Sequence, residues 1–266
     1  MTRALLDLAR EVGLEAADLV RRRRPAGRVE VAATKSSPTD AVTEIDRAAE
    51  QLIRERLLGV RPEDGFIGEE GEDVRGTSGV EWIVDPIDGT VNFVYGIPVY
   101  AVSIAARVGI AEREASIGYV VNIATGAEYG ALAGGGAWRW RDEEREPLHG
   151  PPPVPLAQAL IGTGFSYDSR TREQQAAAIA RLLPRVRDIR RSGSAALDLV
   201  AVAAGELDAY VEQGLKPWDL AAGGLIAREA GLVVSGLDEP AGERLTMAAR
   251  PDIWTEYSGL VRACGL

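Results

Sequence analysis

Trp82-Ile83-Val84 is an apolar run of strand-like composition, and it passes without a linker into Asp85-Pro86-Ile87-Asp88-Gly89-Thr90. Pro86 has no N–H to give to a ladder and Gly89 tolerates dihedrals closed to other residues, so the strand is expected to stop here and the chain to turn. Two carboxylates three residues apart on such a turn can face one centre. Phe66-Ile67-Gly68-Glu69-Glu70 repeats the arrangement, and Trp218-Asp219 sets a further acid at the start of an apolar helical pattern. Any one acid beside a turn is ordinary. Several of them gathered at the mouths of buried elements would repel one another strongly unless cations neutralise them.

The chain offers such a cation few other donors. It has one histidine, His149, within Pro147-Leu148-His149-Gly150-Pro151-Pro152-Pro153, and one cysteine, Cys264. A disulfide or a Cys/His zinc site within the chain is excluded, and a Ser-His-Asp triad would need a firmly held base that a proline-rich loop does not supply. Ligation by oxygen alone points to magnesium or a similar hard ion. If a helix begins just after Asp88, the amides of Gly89 and Thr90 lie at its N-terminus and can receive a phosphate. Metal carboxylates beside an anion-binding helix end suggest a metal-assisted phosphoesterase with water as nucleophile.

The chain has 266 residues, 40 acidic and 30 basic, for a formal charge of −10. An acidic body repels a phosphate backbone, so bulk nucleic-acid binding is not expected. A composition of 46% hydrophobic and 26% charged residues fits a globular chain folded as one domain over residues 1–266. Asp7, Arg10 and Glu11 interrupt any leader-like apolar stretch, and no span of about 20 uncharged apolar residues occurs, so a cytoplasmic protein with no membrane partner is expected. The cations Arg21 to Arg24 read as a helix end, where they complement the dipole.

Leu5, Leu8, Val12, Ala16 and Leu19 share one face of a helix over residues 3–20. A second helix is expected after Thr43, with Ile45, Ala49, Leu52, Ile53 and Leu57 on one face, Thr43 as its cap and Asp46 three residues on. A polar loop, Lys35 to Asp40, separates the two. Strands are expected at 66–67, 82–84, 99–108, 117–121, 127–133, 159–163, 207–211 and 232–235. The run at 99–108 is apolar on both alternating faces and should be central. Helices are expected at 171–183, 194–204, 218–230 and 252–263. The mixture implies an α+β chain in which helices cover sheets.

Lys35-Ser36-Ser37-Pro38, Gly68-Glu69-Glu70, Trp82 through Phe93 and Trp218-Asp219-Leu220-Ala221-Ala222-Gly223 resemble the inositol monophosphatase family in order and spacing, over nearly the whole chain. The likeness is greatest to the bacterial inositol-1-monophosphatases of the SuhB type. It implies a layered αβαβα sandwich of the inositol monophosphatase and fructose-1,6-bisphosphatase type, a homodimer, magnesium dependence and lithium sensitivity. It further implies that Glu69, Asp85 and the carbonyl of Ile87 hold one magnesium, that Asp85, Asp88 and Asp219 hold a second, and that a looser third leans on Glu69. Thr90, paired with Asp46, and Glu69 would orient the attacking water. The amides of Gly89 and Thr90 would cradle the phosphate, and Gly193, Ser194, Ala195 and Glu212 would face the alcohol. Val91 and Tyr95 stand where many relatives have threonine and histidine.

Other readings fit less of the chain. Leu160-Ile161-Gly162-Thr163-Gly164 lacks the third glycine of a dinucleotide loop, since position 167 is Tyr167, and neither lysine follows a glycine as a P-loop requires. A glycosidase pair at Glu69 and Glu70 leaves Asp85, Asp88 and Asp219 unused. The substrate expected is inositol 1-phosphate. The rivals are histidinol phosphate, fructose 1,6-bisphosphate and nucleotide 3′-phosphates, or a non-catalytic binding protein on the same scaffold. Extra cations for a bisphosphate would come from Arg190, Arg191 or Lys216.

Overall fold

The computed structural model describes residues 1–266 apart from 26, 28, 30, 32, 35–40, 110–113 and 142–143. The polar loop with Lys35 therefore lies outside the described residues. Helix α1 (Thr2–Arg23) carries Arg21, Arg22 and Arg23 in its last turn, as the charge pattern predicts. Its buried stripe, Leu5, Leu6, Ala9, Val12, Ala16, Ala17 and Val20, is wider than the expected one, and Leu8 and Leu19 flank it. A short antiparallel pair, β1 (Ala33–Thr34) and β2 (Ala41–Val42), precedes α2 (Glu44–Val60). Thr43 caps α2 through its hydroxyl, which accepts from the Ile45 and Asp46 amides, while Asp46 accepts the Thr43 N–H at 2.9 Å.

The chain then builds a sheet: β3 (Gly65–Gly68), β4 (Val80–Asp88), a single-turn helix α3 (Thr90–Tyr95), β5 (Ala101–Val108), β6 (Ile117–Asn122), β7 (Glu128–Leu132), β8 (Gly136–Arg141) and β9 (Glu144–Pro147). These seven strands lie side by side in chain order, the first two parallel and the rest antiparallel. A second sheet follows: β10 (Leu160–Thr163), α4 (Ser169–Leu182), β11 (Asp188–Arg190), α5 (Ala195–Ala203), β12 (Ala209–Glu212), α6 (Pro217–Glu229), β13 (Val233–Ser235), β14 (Thr246–Ala249) and α7 (Trp254–Cys264). Its strand order is β11-β10-β12-β14-β13.

The apolar clusters define five layers. Helices α1 and α2 bury Leu6, Val12, Ile53 and Leu57 against Trp82, Val84, Ile104 and Tyr119 on one face of the large sheet. On the other face, Ile83, Ala105 and Val120 meet Ala196, Val200, Ala222 and Ile226 of α5 and α6. The far sides of α5 and α6 place Leu199, Val202 and Ala227 on Tyr210 and Ala248 of the small sheet. Helices α4 and α7 close that sheet with Leu182, Tyr257 and Val261. This is the expected αβαβα order. Small residues make the tight middle layer possible: a Cβ on Gly118 would stand 2.9 Å from the Ala222 carbonyl oxygen, and one on Gly223 would stand 3.1 Å from that of Ala196.

One expectation is corrected at the decisive turn. Strand β4 does not end at Asp85 but runs to Asp88, with a register shift against β5 between those two residues. A bulge accommodates Pro86 without ending the strand, because the missing N–H falls where the ladder is already broken. The strands β1, β2, β8, β9, β11 and β14 are additional to those expected, and α3 is the helix considered after Asp88.

Candidate active site

Strand β4 delivers two carboxylates to one place. Asp85 accepts its own turn's Ile87 N–H at 3.0 Å, and Asp88, 8% exposed, accepts the Ser194 hydroxyl at 2.6 Å and the Ala196 N–H at 2.7 Å on the same oxygen. The third carboxylate comes from the middle helix layer. Asp219 lies in the first turn of α6, where the helix dipole favours an anion, and accepts the Lys216 N–H at 2.7 Å. Pro217 occupies the start of that helix, so its missing N–H costs nothing there. The Trp218 carbonyl, receiving the Ser103 hydroxyl at 3.2 Å, ties the helix start to β5.

One ligand oxygen from each of Asp85, Asp88 and Asp219 lies within 4.8 Å of the others. Three like charges at that spacing repel by about 3 kcal/mol per pair at an effective dielectric near 20. Three such pairs are comparable with the whole stability of a typical domain, about 5–15 kcal/mol. The carboxyls respond as this demands. Burial raises Asp88, against the hydrogen bonds from Ser194, Ala196 and Ala195, while burial and then the Asp88 charge push Asp219 well above the usual carboxylate range. An oxygen-only set with this much uncompensated charge fits a hard divalent cation.

Glu69, one residue beyond β3, borders the same cavity but is not among the three gathered carboxylates; its charge reaches Asp219. Behind the acids stands a hydroxyl. Thr90 begins α3, and its Oγ1 lies 3.1 Å from Asp46 Oδ1 and 3.0 Å from the Ile87 carbonyl oxygen, both acceptors for its single proton. Gly89, at φ +96°, is the sharp corner between strand and helix. A Cβ there would meet the Val99 carbonyl oxygen at 2.9 Å and that of Gly193 at 3.0 Å, so this corner is restricted to glycine.

The cavity has a volume of about 780 Å³. Of the residues expected at the site, Glu69, Asp85, Ile87, Asp88, Gly89 and Thr90 line it from the large sheet, and Gly193, Ser194, Ala195, Glu212 and Asp219 line it from the other side. Asp46 is fully buried behind Thr90. Ser194 directs its hydroxyl to Asp88 and also caps α5. Arg191 and Lys216 border the cavity, whereas Arg190 is exposed and pairs with Asp188 on its own strand. His149 is exposed in a loop away from the cavity.

Other participants carry no motif. Tyr210 donates to Glu212, whose carboxyl is pushed up to about 7, chiefly by burial, with the Asp88 charge adding to it and the Tyr210 hydrogen bond and Arg191 opposing. Asp198, buried in the first turn of α5, is also raised to about 7 by burial, against a hydrogen bond from Ser192 and with the charges of Glu212 and Asp88 adding. Asn92 donates to the carbonyls of Val99 and Ser192, each at 2.8 Å, and so laces the rim of the site together. Asn92 lies inside the string Trp82 to Phe93, Tyr210 two residues before Glu212 and Asp198 three after Ala195, and nothing else in the sequence marks them. Among the described residues, no helix is long and apolar enough to cross a membrane.

Residues 1–263 match the model of the inositol monophosphatase family. Inositol-1-monophosphatase SuhB of Mycobacterium tuberculosis is 47% identical, over 98% of this chain and 95% of the relative. A protein named Nus factor SuhB from Pasteurella multocida is 40% identical over 76% of this chain and 73% of its own length. The solved structure of Mycobacterium tuberculosis SuhB superposes with a TM-score of 0.85 at 43% identity, covering 100% of this chain and 98% of that one.

Proposed function

The chain belongs to the inositol monophosphatase family and is a phosphoric monoester hydrolase, and from that premise we propose that it hydrolyses inositol 1-phosphate to inositol and phosphate with magnesium as its cofactor. The observation that carries this reading is the convergence of Asp85 and Asp88 from the large sheet and of Asp219 from the middle helix layer into one cavity. Asp85, Asp88 and Asp219, with Glu69 and the Ile87 carbonyl, are the groups that would hold two ions, and a third would lean on Glu69. When bound, such ions acidify water and neutralise charge on the departing oxygen. That chemistry replaces a histidine base, which the cavity does not contain.

The protein's own groups then have distinct tasks. Thr90 has its proton directed to Asp46 or to the Ile87 carbonyl, so it meets the attacking water as an acceptor, and Glu69 accepts the water's second proton. Two acceptors leave the water's lone pair to face phosphorus. The amides of Gly89 and Thr90 receive the phosphate oxygens. Ser194 positions Asp88, while Gly193, Ala195 and Glu212 face the alcohol, and a carboxylate held by Tyr210 suits polyol hydroxyls. We place the enzyme in the cytoplasm as a lithium-sensitive homodimer.

Phosphate release from inositol 1-phosphate, histidinol phosphate, fructose 1,6-bisphosphate and nucleotide 3′-phosphates, each with magnesium, ranks the substrates. The highest kcat/KM is expected for inositol 1-phosphate. A higher value for another ester would move the substrate but keep the reaction. Rates equal to buffer across the panel would favour a non-catalytic role on this scaffold, for which the relative named Nus factor SuhB is the supporting observation.

A further inference from the structure

Helix α2 presents two acids on its buried face, Asp46 and Glu50, one helical turn apart among Ala49, Ile53 and Leu57. The first holds Thr90. The second is 3% exposed, too buried for a charge without partners. Its Oε2 accepts the Glu70 N–H at 2.7 Å. A Cβ on Gly68 would stand 2.5 Å from that same oxygen, and one on Gly71 would stand 2.7 Å from Oε1. The carboxylate thus lies directly against the backbone on both sides of Glu69.

The counter-charge is anchored to the same strand. Arg54, one turn further along α2, approaches Glu50 Oε1 at 3.3 Å, and its guanidinium lies 4.6 Å from the centre of the Phe66 ring in β3. Helix, ion pair, strand and turn form one closed unit that ends at Glu69.

We propose that Glu50 is a positioning residue for the hydrolysis: by accepting the Glu70 N–H it fixes the turn that carries Glu69, so that one helix face sets both Thr90, through Asp46, and Glu69. This rests on the role given to Glu69 above. A buried charge that served packing alone would have no reason to bond the backbone beside that residue. Displacing a group at a reacting centre by an ångström costs on the order of 100-fold in rate.

The test uses Glu50→Ala, Glu50→Gln, Glu69→Gln and the double variant Glu50→Ala/Glu69→Gln. Turnover of inositol 1-phosphate and KM are measured at saturating magnesium, manganese affinity by electron paramagnetic resonance, and folding by circular dichroism. Glu50→Ala should lose about 10- to 100-fold in kcat, weaken manganese by a similar factor, and leave KM nearly unchanged. Glu50→Gln, whose amide oxygen still accepts the Glu70 N–H, should restore most of the loss. The double variant should be no slower than Glu69→Gln, because both changes act through one group. Wild-type kinetics in Glu50→Ala, no rescue by glutamine, or multiplicative losses in the double variant would overturn the positioning role while Glu69→Gln stays inactive. Near-normal turnover in Glu69→Gln would overturn the site assignment and this proposal with it. If Glu50→Ala does not fold, Gly68→Ala displaces the carboxylate instead; it should show the same kcat loss, and a wild-type rate would refute the role.

Discussion

The Ser194 hydroxyl donates to Asp88 Oδ2 at 2.6 Å across 106 residues of sequence, and the Ala196 N–H donates to the same oxygen at 2.7 Å. The start of α5, in the middle helix layer, therefore fixes a carboxylate that β4 supplies from the large sheet. Asparagine at 88 cannot satisfy this arrangement and also offer a charged ligand. With its nitrogen toward Ser194 it faces the Ala196 donor, and with its oxygen there it presents an amide to the cation. We predict that Asp88→Asn and Asp219→Asn fold normally but lose about 100- to 1,000-fold in turnover. Near-normal rates at low magnesium in either variant would refute the ligand assignment.

Thr90 makes its hydrogen bonds to Asp46 and to the Ile87 carbonyl, both fixed groups. Removing the hydroxyl should leave substrate binding intact and misdirect the water. Thr90→Ala is expected to lower kcat on the order of 100-fold with little change in KM. Steady-state kinetics on inositol 1-phosphate give both constants, and an unchanged kcat would remove the water-orienting role.

Asp198 offers a test of electrostatics through stability. Its carboxyl titrates near 7 in the folded protein, chiefly because it is buried, against an ordinary value of 3.8. A raised carboxyl is favourable at low pH, and that contribution is lost as pH rises through the folded value, so the metal-free protein should lose stability between about pH 4 and pH 7. Asp198→Asn should flatten this decline and raise the melting temperature at pH 8, by about 2–4 °C for each kcal/mol recovered, with little effect at pH 4. Thermal melts in a chelator at both pH values decide it; an equal shift at the two would contradict the burial of an ionising group.

Glu212 rests against Gly164, where an added Cβ would stand 2.1 Å from its carboxyl carbon. The end of a side chain can move more readily than backbone, so Gly164→Ala should displace the carboxylate without unfolding the protein. The expected result is a KM raised about tenfold for inositol 1-phosphate, equivalent to about one lost hydrogen bond. The KM for a phosphate ester without neighbouring hydroxyls should not change. Equal effects on both esters would argue against a polyol contact at Glu212.

That helices cover sheets was legible because the main strands are apolar runs and the helices have clear periodicity, whereas the αβαβα order was implied by the family resemblance alone. The capping box at Thr43 and Asp46 could likewise be read directly. Strand β9, Glu144–Pro147, had no apolar pattern to reveal it, and β11 is only three residues long. The end of β4 was misplaced because proline suggests a break, while the bulge depends on pairing with β5, which lies outside any local window. Glu69, Asp85 and Asp88 announced themselves by their place after apolar strands, and Asp219 by its place at the start of an apolar helix. Their supports did not. Glu50 lies in a helix whose apolar positions suggested the opposite face for charge, and the Ser194–Asp88 bond joins segments that only the fold brings together.

The central claim is that Asp85, Asp88 and Asp219 gather around divalent ions at which a phosphate ester is split. Anomalous diffraction from crystals soaked with manganese tests this most directly. Strong peaks are expected between these three carboxylates, one of them lost in Asp219→Asn. Peaks confined to other sites, or none at a concentration that supports turnover, would contradict it.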